Sequence, residues 1–132
     1  MRFDDAAIIG RYKNPCRRAT LDADACDASA TGNNPFCGDT IELRITVEPD
    51  AEGVSRVKAA SFDGHACSLC AATADLLCER IEGQPVGDLC ALSLEDLCEM
   101  WGGLEVGRAR QSCVALPATV LARACRAIIA PE

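Results

Sequence analysis

The most regular pattern in the chain is an alternation of apolar and polar residues over residues 40–48. The apolar positions, which point to one side of an extended chain, are Ile41, Leu43, Ile45 and Val47. This period of two predicts a strand with one buried face. Residues 49–53 contain Pro, Asp and Gly and predict a turn, and residues 54–62 then read as the returning strand. The two strands make an antiparallel hairpin.

After Gly64 the spacing of the apolar residues changes from two to that of a helix. This spacing predicts a helix over residues 68–82, which Gly83 ends. Ser93 is expected to cap a second, short helix that runs to Met100, since serine accepts a hydrogen bond from the first helical turn.

Helices are also predicted towards both ends of the chain. Residues 115–129 form the last one, with Pro117 in its first turn, where a missing N–H costs little. Residues 3–13 form the first one, with Ile8 and Ile9 on its buried side.

The polar segment between the first helix and the hairpin, residues 16–34, is predicted to be a loop with one short strand around residues 25–31. Together with the hairpin, this strand indicates an α+β fold, a small antiparallel three-stranded sheet with helices packed on one face. A length of 132 residues predicts a single domain over residues 1–132.

Composition narrows the possible partners and location. The formal charge of −7 makes binding of nucleic acid through its phosphates improbable. No apolar run reaches the roughly 20 residues of a membrane helix, and the N-terminus has no stretch typical of a signal peptide. We therefore expect no nucleic-acid partner, no membrane association and a cytoplasmic location.

Ten cysteines are an unusually large number for this length. Five disulfides would suit a small secreted chain, whereas an expected cytoplasmic location favours metal or sulfur chemistry for some of the thiols. The remaining cysteines are explained as small buried apolar residues.

Three of the cysteines occupy special places in the predicted outline. Cys67 opens the helix at 68–82 and Cys113 immediately precedes the helix at 115–129, and a thiolate is favoured at a helix N-terminus. Cys37 lies just before the first strand of the hairpin, two residues from Asp39. In an extended segment Cys37 and Asp39 project to the same side. Three thiolates and one carboxylate suit zinc or a releasable iron–sulfur cluster, because a permanent cluster more often takes four cysteines. Spacing alone is a weak signal for such a site.

Five motifs strengthen the case because they resemble, in order and spacing, those of the U-type iron–sulfur cluster scaffold family (IscU, SufU and the N-terminal domain of NifU, a SufE/NifU-like fold). They are RYKNP at residues 11–15, NPFCGD at 34–39, FDGHACS at 62–68, WGGL at 101–104 and RQSCVAL at 110–116. In that family they correspond to H-Y-x-N-P, N-P-x-C-G-D, F-x-G-x-G-C-S, G-G-L and R-x-x-C-A-x-L.

The resemblance implies a scaffold and carrier rather than a true enzyme. Its ligands would be Cys37, Asp39, Cys67 and Cys113, holding a transient [2Fe–2S] cluster that is passed on to apo iron–sulfur client proteins. A cysteine desulfurase would be the partner that supplies sulfur. The alternative, drawn from the SufU branch, is a zinc-dependent sulfur acceptor with Zn(II) on the same four residues.

Some residues leave further alternatives open. Cys67 and Cys70 form a C-x-x-C pair, which is typical of thiol–disulfide redox proteins; packing of Cys70 near the site is the simpler interpretation. His65 is either a loop residue or a substitute ligand. Ser112 stands where the family often has a basic residue. The short interval between Cys67 and Cys113 is that of IscU and NifU rather than SufU.

Overall fold

The computed structural model describes residues 5–35 and 38–129, and within them the chain forms one antiparallel sheet and four α-helices. The strands, which pair in the order β1-β2-β3, are β1 (Ala28–Asn34), β2 (Asp39–Pro49) and β3 (Ser55–His65). The helices are α1 (Asp5–Lys13), α2 (Ser68–Arg80), α3 (Leu94–Met100) and α4 (Arg108–Ile129). Short 3-10 helices occur at Ala23–Ala25 and Val86–Ala91. The predicted α+β class and three-stranded sheet are confirmed.

The alternation along β2 is the basis of the core. Ile41, Leu43 and Ile45 are each at most 1% exposed and face the helices. A bulge between Thr46 and Val47 breaks the alternation, which is why Val47 is only half-buried. The hairpin is confirmed, and its buried face extends one step further than the apolar pattern, to Asp39.

Helices α2 and α4 pack side by side on one face of the sheet, and α1 packs against α2. The opposite face is partly crossed by the chain before β1, where Leu21 donates its N–H to Ser61 and accepts from Arg44. Short bridges from residues 18 and 85 to β3 cover the outer edge of the sheet. The layered arrangement therefore has all packed helices on one side, as predicted.

Helix α2 ends close to its predicted C-terminus, and Ser93 caps α3 through a reciprocal capping box with Asp96. Strand β1 lies three residues later than predicted, at Ala28–Asn34. Strand β3 continues to His65, so the predicted turn before Cys67 is shorter than expected. In α1, Ile8 is buried but Ile9 is 39% exposed, contrary to the prediction for Ile9.

The last helix differs most from its prediction. It begins at Arg108 rather than near residue 115, so Cys113 lies within it and Pro117 is in its interior. A proline there removes the hydrogen bond to the carbonyl of Cys113, at a cost of about 3 kcal/mol in an isolated helix. Both Cys113 and Pro117 are buried, and this packing offsets the proline's cost. The interpretation of Cys113 as a helix-terminal thiol is therefore wrong.

Helix α4 is also long and apolar enough to meet a length-and-composition criterion for a membrane span, which the sequence analysis had excluded. Half of this apolar stretch of α4 is buried inside the protein. Val120, Leu121 and Ala124 on that helix are fully buried. A core helix of a globular domain meets the same criterion, and the packing of α4 on the sheet is of that kind.

Candidate metal centre

Asp39 is a buried carboxylate at the first position of β2. Because side chains alternate along a strand, Asp39 shares the inner face with Ile41, Leu43 and Ile45. It is 1% exposed, so its charge lies at the edge of the apolar core rather than in solvent. A buried carboxylate needs hydrogen-bond donors or a cation close by.

Cys67 supplies the first of these donors. It is the N-cap residue of α2, as the sequence predicted, and its N–H donates to Asp39 Oδ1 at 2.8 Å. Its Sγ accepts from the N–H of Cys70 at 3.5 Å and lies 3.8 Å from Asp39 Oδ2. The N-terminus of α2 therefore directs backbone N–H groups at both the carboxylate of Asp39 and the thiol of Cys67.

Cys113 completes a three-residue cluster from the buried side of α4. Its Sγ, the Sγ of Cys67 and a carboxylate oxygen of Asp39 all lie within 4.8 Å of one another. In a tetrahedral zinc site the ligand atoms are about 3.5–3.8 Å apart, given bonds of about 2.3 Å to sulfur and 2.0 Å to oxygen. The separation of 3.8 Å between Cys67 Sγ and Asp39 Oδ2 is close to these values. Thiolates with one carboxylate are a donor set that zinc and iron both accept.

Cys37, the fourth predicted ligand, lies outside the described residues. Asn34 and Gly38, which the structure does describe, lie at the two ends of the same connection between β1 and β2. Asn34 pairs with Asp39 across the β1–β2 connection and accepts a hydrogen bond from the N–H of Gly38 at 2.8 Å. Gly38 has φ of +75°, a conformation that glycine adopts without strain.

The structure adds a contact that the sequence analysis missed. Asn34 is 5% exposed and donates from Nδ2 to the Oγ of Ser112 at 2.9 Å. Ser112 precedes Cys113, so this hydrogen bond joins the end of β1 to α4 beside the cluster. Asn34 belongs to the N-P-F-C-G-D motif, whereas its partner, Ser112, stood out only as a departure from the family pattern.

Two residues considered in the sequence analysis are not part of the cluster. Cys70 is fully buried and belongs to the apolar core, so packing near the site is the better description of its contacts. His65 is exposed and pairs with Thr40, a residue on the outer face of the sheet, away from Asp39. His65 is therefore not a substitute ligand in this arrangement.

None of the nine cysteines within the described part of the chain forms a disulfide bond. Burial raises the pKa of the Cys125 thiol to about 12 and also raises the pKa of Cys78 well above its ordinary value. A thiol with such a pKa stays protonated near neutral pH and neither binds metal nor attacks sulfur readily. Cys78 and Cys125 are thus structural, as predicted.

Comparison with known sequences decides the family. A family model described as the NifU-like N-terminal domain matches residues 4–129, nearly the whole chain. The chain belongs to the NifU-like N-terminal domain family. The resemblance to the U-type scaffolds, drawn from five short motifs, is confirmed.

Two curated relatives of this NifU-like chain carry different functional names. The zinc-dependent sulfurtransferase SufU of Bacillus subtilis is 32% identical over 87 residues, which are 65% of this chain and 53% of that protein. The iron–sulfur cluster assembly scaffold protein IscU of Aquifex aeolicus is 28% identical over 99 residues, 74% of this chain and 59% of that protein. The match thus spans somewhat more than half the length of each relative.

A solved structure agrees with the fold of this NifU-like chain. The crystal structure of a nitrogen-fixing NifU-like protein (N-terminal) from Brucella abortus superposes with a TM-score of 0.73 at 19% identity. The superposition covers 96% of this chain and 94% of the other. At this identity the likeness establishes the shared fold, a sheet with helices on one face.

Proposed function

We propose that this NifU-like chain is an iron–sulfur cluster assembly scaffold that builds a labile [2Fe–2S] cluster on Cys37, Asp39, Cys67 and Cys113. One observation carries the proposal. Ligand atoms of Asp39, Cys67 and Cys113, from three different elements, lie within 4.8 Å of one another. The cluster is the cargo of the protein, and apo iron–sulfur proteins are its recipients.

Chain connectivity supports the inclusion of Cys37 in the proposed site. Consecutive Cα atoms are 3.8 Å apart, so the Cα of Cys37 is at most about 7 Å from that of Asp39. The pairing of Asn34 with Asp39 closes the connection from the other side. In this proposal Cys37, which belongs to that short connection, supplies the third thiolate.

The role of Asp39 is to make the cluster releasable. A carboxylate oxygen is a harder ligand than a thiolate and binds cluster iron less strongly. In addition, Asp39 Oδ1 already accepts a hydrogen bond from the Cys67 N–H, so the carboxylate would bind the cluster iron and the backbone at the same time. A cluster held by three sulfurs and one shared oxygen is suited to transfer rather than to permanent residence.

A second candidate function is that of a zinc-dependent sulfur acceptor. It is favoured by the 32% identity to a protein named as a zinc-dependent sulfurtransferase. In that case Zn(II) binds the same four residues, and one thiolate takes sulfur from the persulfide of a cysteine desulfurase. The protein would then have an enzymatic activity, sulfur transfer, instead of a pure carrier role. The desulfurase is the proposed sulfur donor under both candidates.

Anaerobic reconstitution tests the two candidates. The purified protein is incubated with iron, sulfide and a thiol reductant, and its visible spectrum and metal content are measured. A cluster chromophore that is lost in Cys37→Ser, Cys67→Ser and Cys113→Ser supports the scaffold. The matched control is Cys16→Ser, because Cys16 is exposed and lies outside the cluster.

Other outcomes of the same experiment decide against the scaffold. Tightly held, stoichiometric zinc without any chromophore supports the zinc-dependent sulfur acceptor. Binding of neither zinc nor a cluster by the folded protein contradicts both candidates. A chromophore that persists in Cys113→Ser shows that the cluster is held elsewhere in the molecule.

A further inference from the structure

Cys67 and Cys70 form a dithiol pair at the start of α2, next to the candidate metal centre. Cys67 is the N-cap residue, and the N–H of Cys70, three residues on, donates to its Sγ at 3.5 Å. These are the N-cap and third positions of the helix, between which side chains can make reciprocal contacts, as in a capping box. Neither Cys67 nor Cys70 forms a disulfide bond in this structure.

The two cysteines differ in accessibility. Cys67 is half-exposed, whereas Cys70 is 0% exposed and packs in the core. An incoming sulfur donor therefore reaches Cys67 and not Cys70. A C-x-x-C pair with an accessible first thiol and a buried second thiol is the arrangement in which the second thiol resolves a bond formed at the first.

Cluster assembly poses a chemical problem that this pair solves. This step rests on the proposed function, in which sulfur arrives as a persulfide. Persulfide sulfur is at the oxidation level of elemental sulfur, but a cluster contains sulfide, so two electrons are required. A neighbouring thiol provides them by attacking the persulfide.

We propose that Cys70 is a resolving cysteine that releases sulfide from a persulfide on Cys67. The Sγ of Cys70 attacks the Sγ of Cys67, a Cys67–Cys70 disulfide bond forms, and the bond to the outer sulfur breaks. The outer sulfur leaves as hydrosulfide, taking the electron pair of the broken bond, and the proton of the Cys70 thiol goes to solvent. Two thiol-level sulfurs are oxidised to the disulfide and one sulfane sulfur is reduced to sulfide, so atoms and electrons balance.

Cys113 is the competing resolving thiol, because its Sγ is also close to that of Cys67. Attack by Cys113 joins α2 to α4 and consumes two of the metal ligands at once. Attack by Cys70 stays within one helical turn and consumes one ligand. The pair on α2 is therefore the less disruptive route, and the position of the disulfide distinguishes the two.

The test uses metal-free, reduced protein and glutathione persulfide as the sulfur donor. After brief anaerobic loading, excess donor is removed, released sulfide is measured, and disulfides and persulfides are mapped by mass spectrometry of alkylated peptides. The wild type should release sulfide in proportion to a Cys67–Cys70 disulfide. Cys70→Ala should retain the persulfide on Cys67 and release at least about tenfold less sulfide.

The matched control is Cys78→Ala, which removes a buried thiol from the same helix and should behave like the wild type. Zinc binding by Cys70→Ala shows that the site is still folded, and it reads out the proposed metal centre independently of sulfide release. Three outcomes each overturn the inference: equal sulfide release by wild type and Cys70→Ala, a Cys67–Cys113 disulfide in the wild type, or no persulfide on Cys67 in Cys70→Ala. If the wild type binds no metal but still releases sulfide in a Cys70-dependent way, the proposed function is contradicted and the inference about Cys70 is not.

Discussion

Replacing Asp39 tests whether its carboxylate contributes to the fold as well as to the site. In the metal-free protein, Asp39→Ala removes the acceptor for the Cys67 N–H, a hydrogen bond of 2.8 Å at a position that is 1% exposed. Hydrogen bonds to charged groups contribute about 1.5–3 kcal/mol, and alanine also removes the cost of burying the carboxylate. We expect a net loss of about 1–3 kcal/mol in the free energy of unfolding. Asp39→Asn, which keeps an acceptor oxygen, should lose less than about 1 kcal/mol.

The assay is urea unfolding in the presence of a chelator and a thiol reductant, followed by circular dichroism. The same variants carry an opposite expectation for the loaded protein, since loss of the oxygen ligand should make a reconstituted cluster longer-lived. If Asp39→Ala proves more stable than the wild type without metal, the burial cost of the carboxylate exceeds the value of its hydrogen bond. The structural argument would then be refuted, and Asp39 would be retained for ligand chemistry alone.

Three further predictions test parts of the fold. Gly64→Ala should cost about 3 kcal/mol or more, because φ is +132° and a new Cβ would collide with the carbonyl oxygen of Thr40. The control Gly53→Ala, at φ +84° in open space, should cost about 1–2 kcal/mol in thermal or urea unfolding. A double-mutant cycle on Asn34→Ala and Ser112→Ala should give a coupling of about 0.5–1.5 kcal/mol, and additive losses would contradict the hydrogen bond between them. Because the pKa of Cys125 is raised from 9.0 to about 12 in the folded state, the unfolded chain loses that proton first. The contribution of Cys125 to the stability of the protein should therefore fall by about 1.4 kcal/mol per pH unit from about pH 9 towards 12. This slope should appear in the difference between the wild-type and Cys125→Ala curves, and a flat difference would contradict the reasoning.

The sequence predicted the central hairpin well because one face of β2 is buried and the other is not. Asp39 continues the same inward alternation, at 1% exposure, yet a hydropathy pattern cannot reveal a charged residue at a buried position. Only its place in a metal-ligand motif marked Asp39 as a site residue. The alternation of apolar residues thus predicted the strand, and the motif predicted the role of Asp39 at its start.

Helix α4 shows where local rules fail. Pro117 is a strong signal for a helix start, but the interior of α4 accommodates it because the buried face is stabilised by packing on the sheet. The close approach of α4 to β1 at Gly32 illustrates how tight this packing is, since a Cβ there would lie 2.7 Å from Val120 Cγ2. Tertiary contacts of this kind are not visible in a window of neighbouring residues.

The position of Cys113 follows from this packing, not from a helix terminus. Its Sγ comes close to Asp39 and Cys67 because α4 lies against the sheet while α2 begins at the end of β3. The distances between the ligand atoms are therefore set by the spacing of three elements, and no local sequence spacing encodes them. A change that shifts α4 on the sheet, such as added bulk at Gly32, should alter metal affinity even though Gly32 is not in the ligand cluster. The packing of the core therefore determines the geometry of the site. This explains why three residues far apart in the sequence were a weak signal there and yet form a compact cluster in the fold.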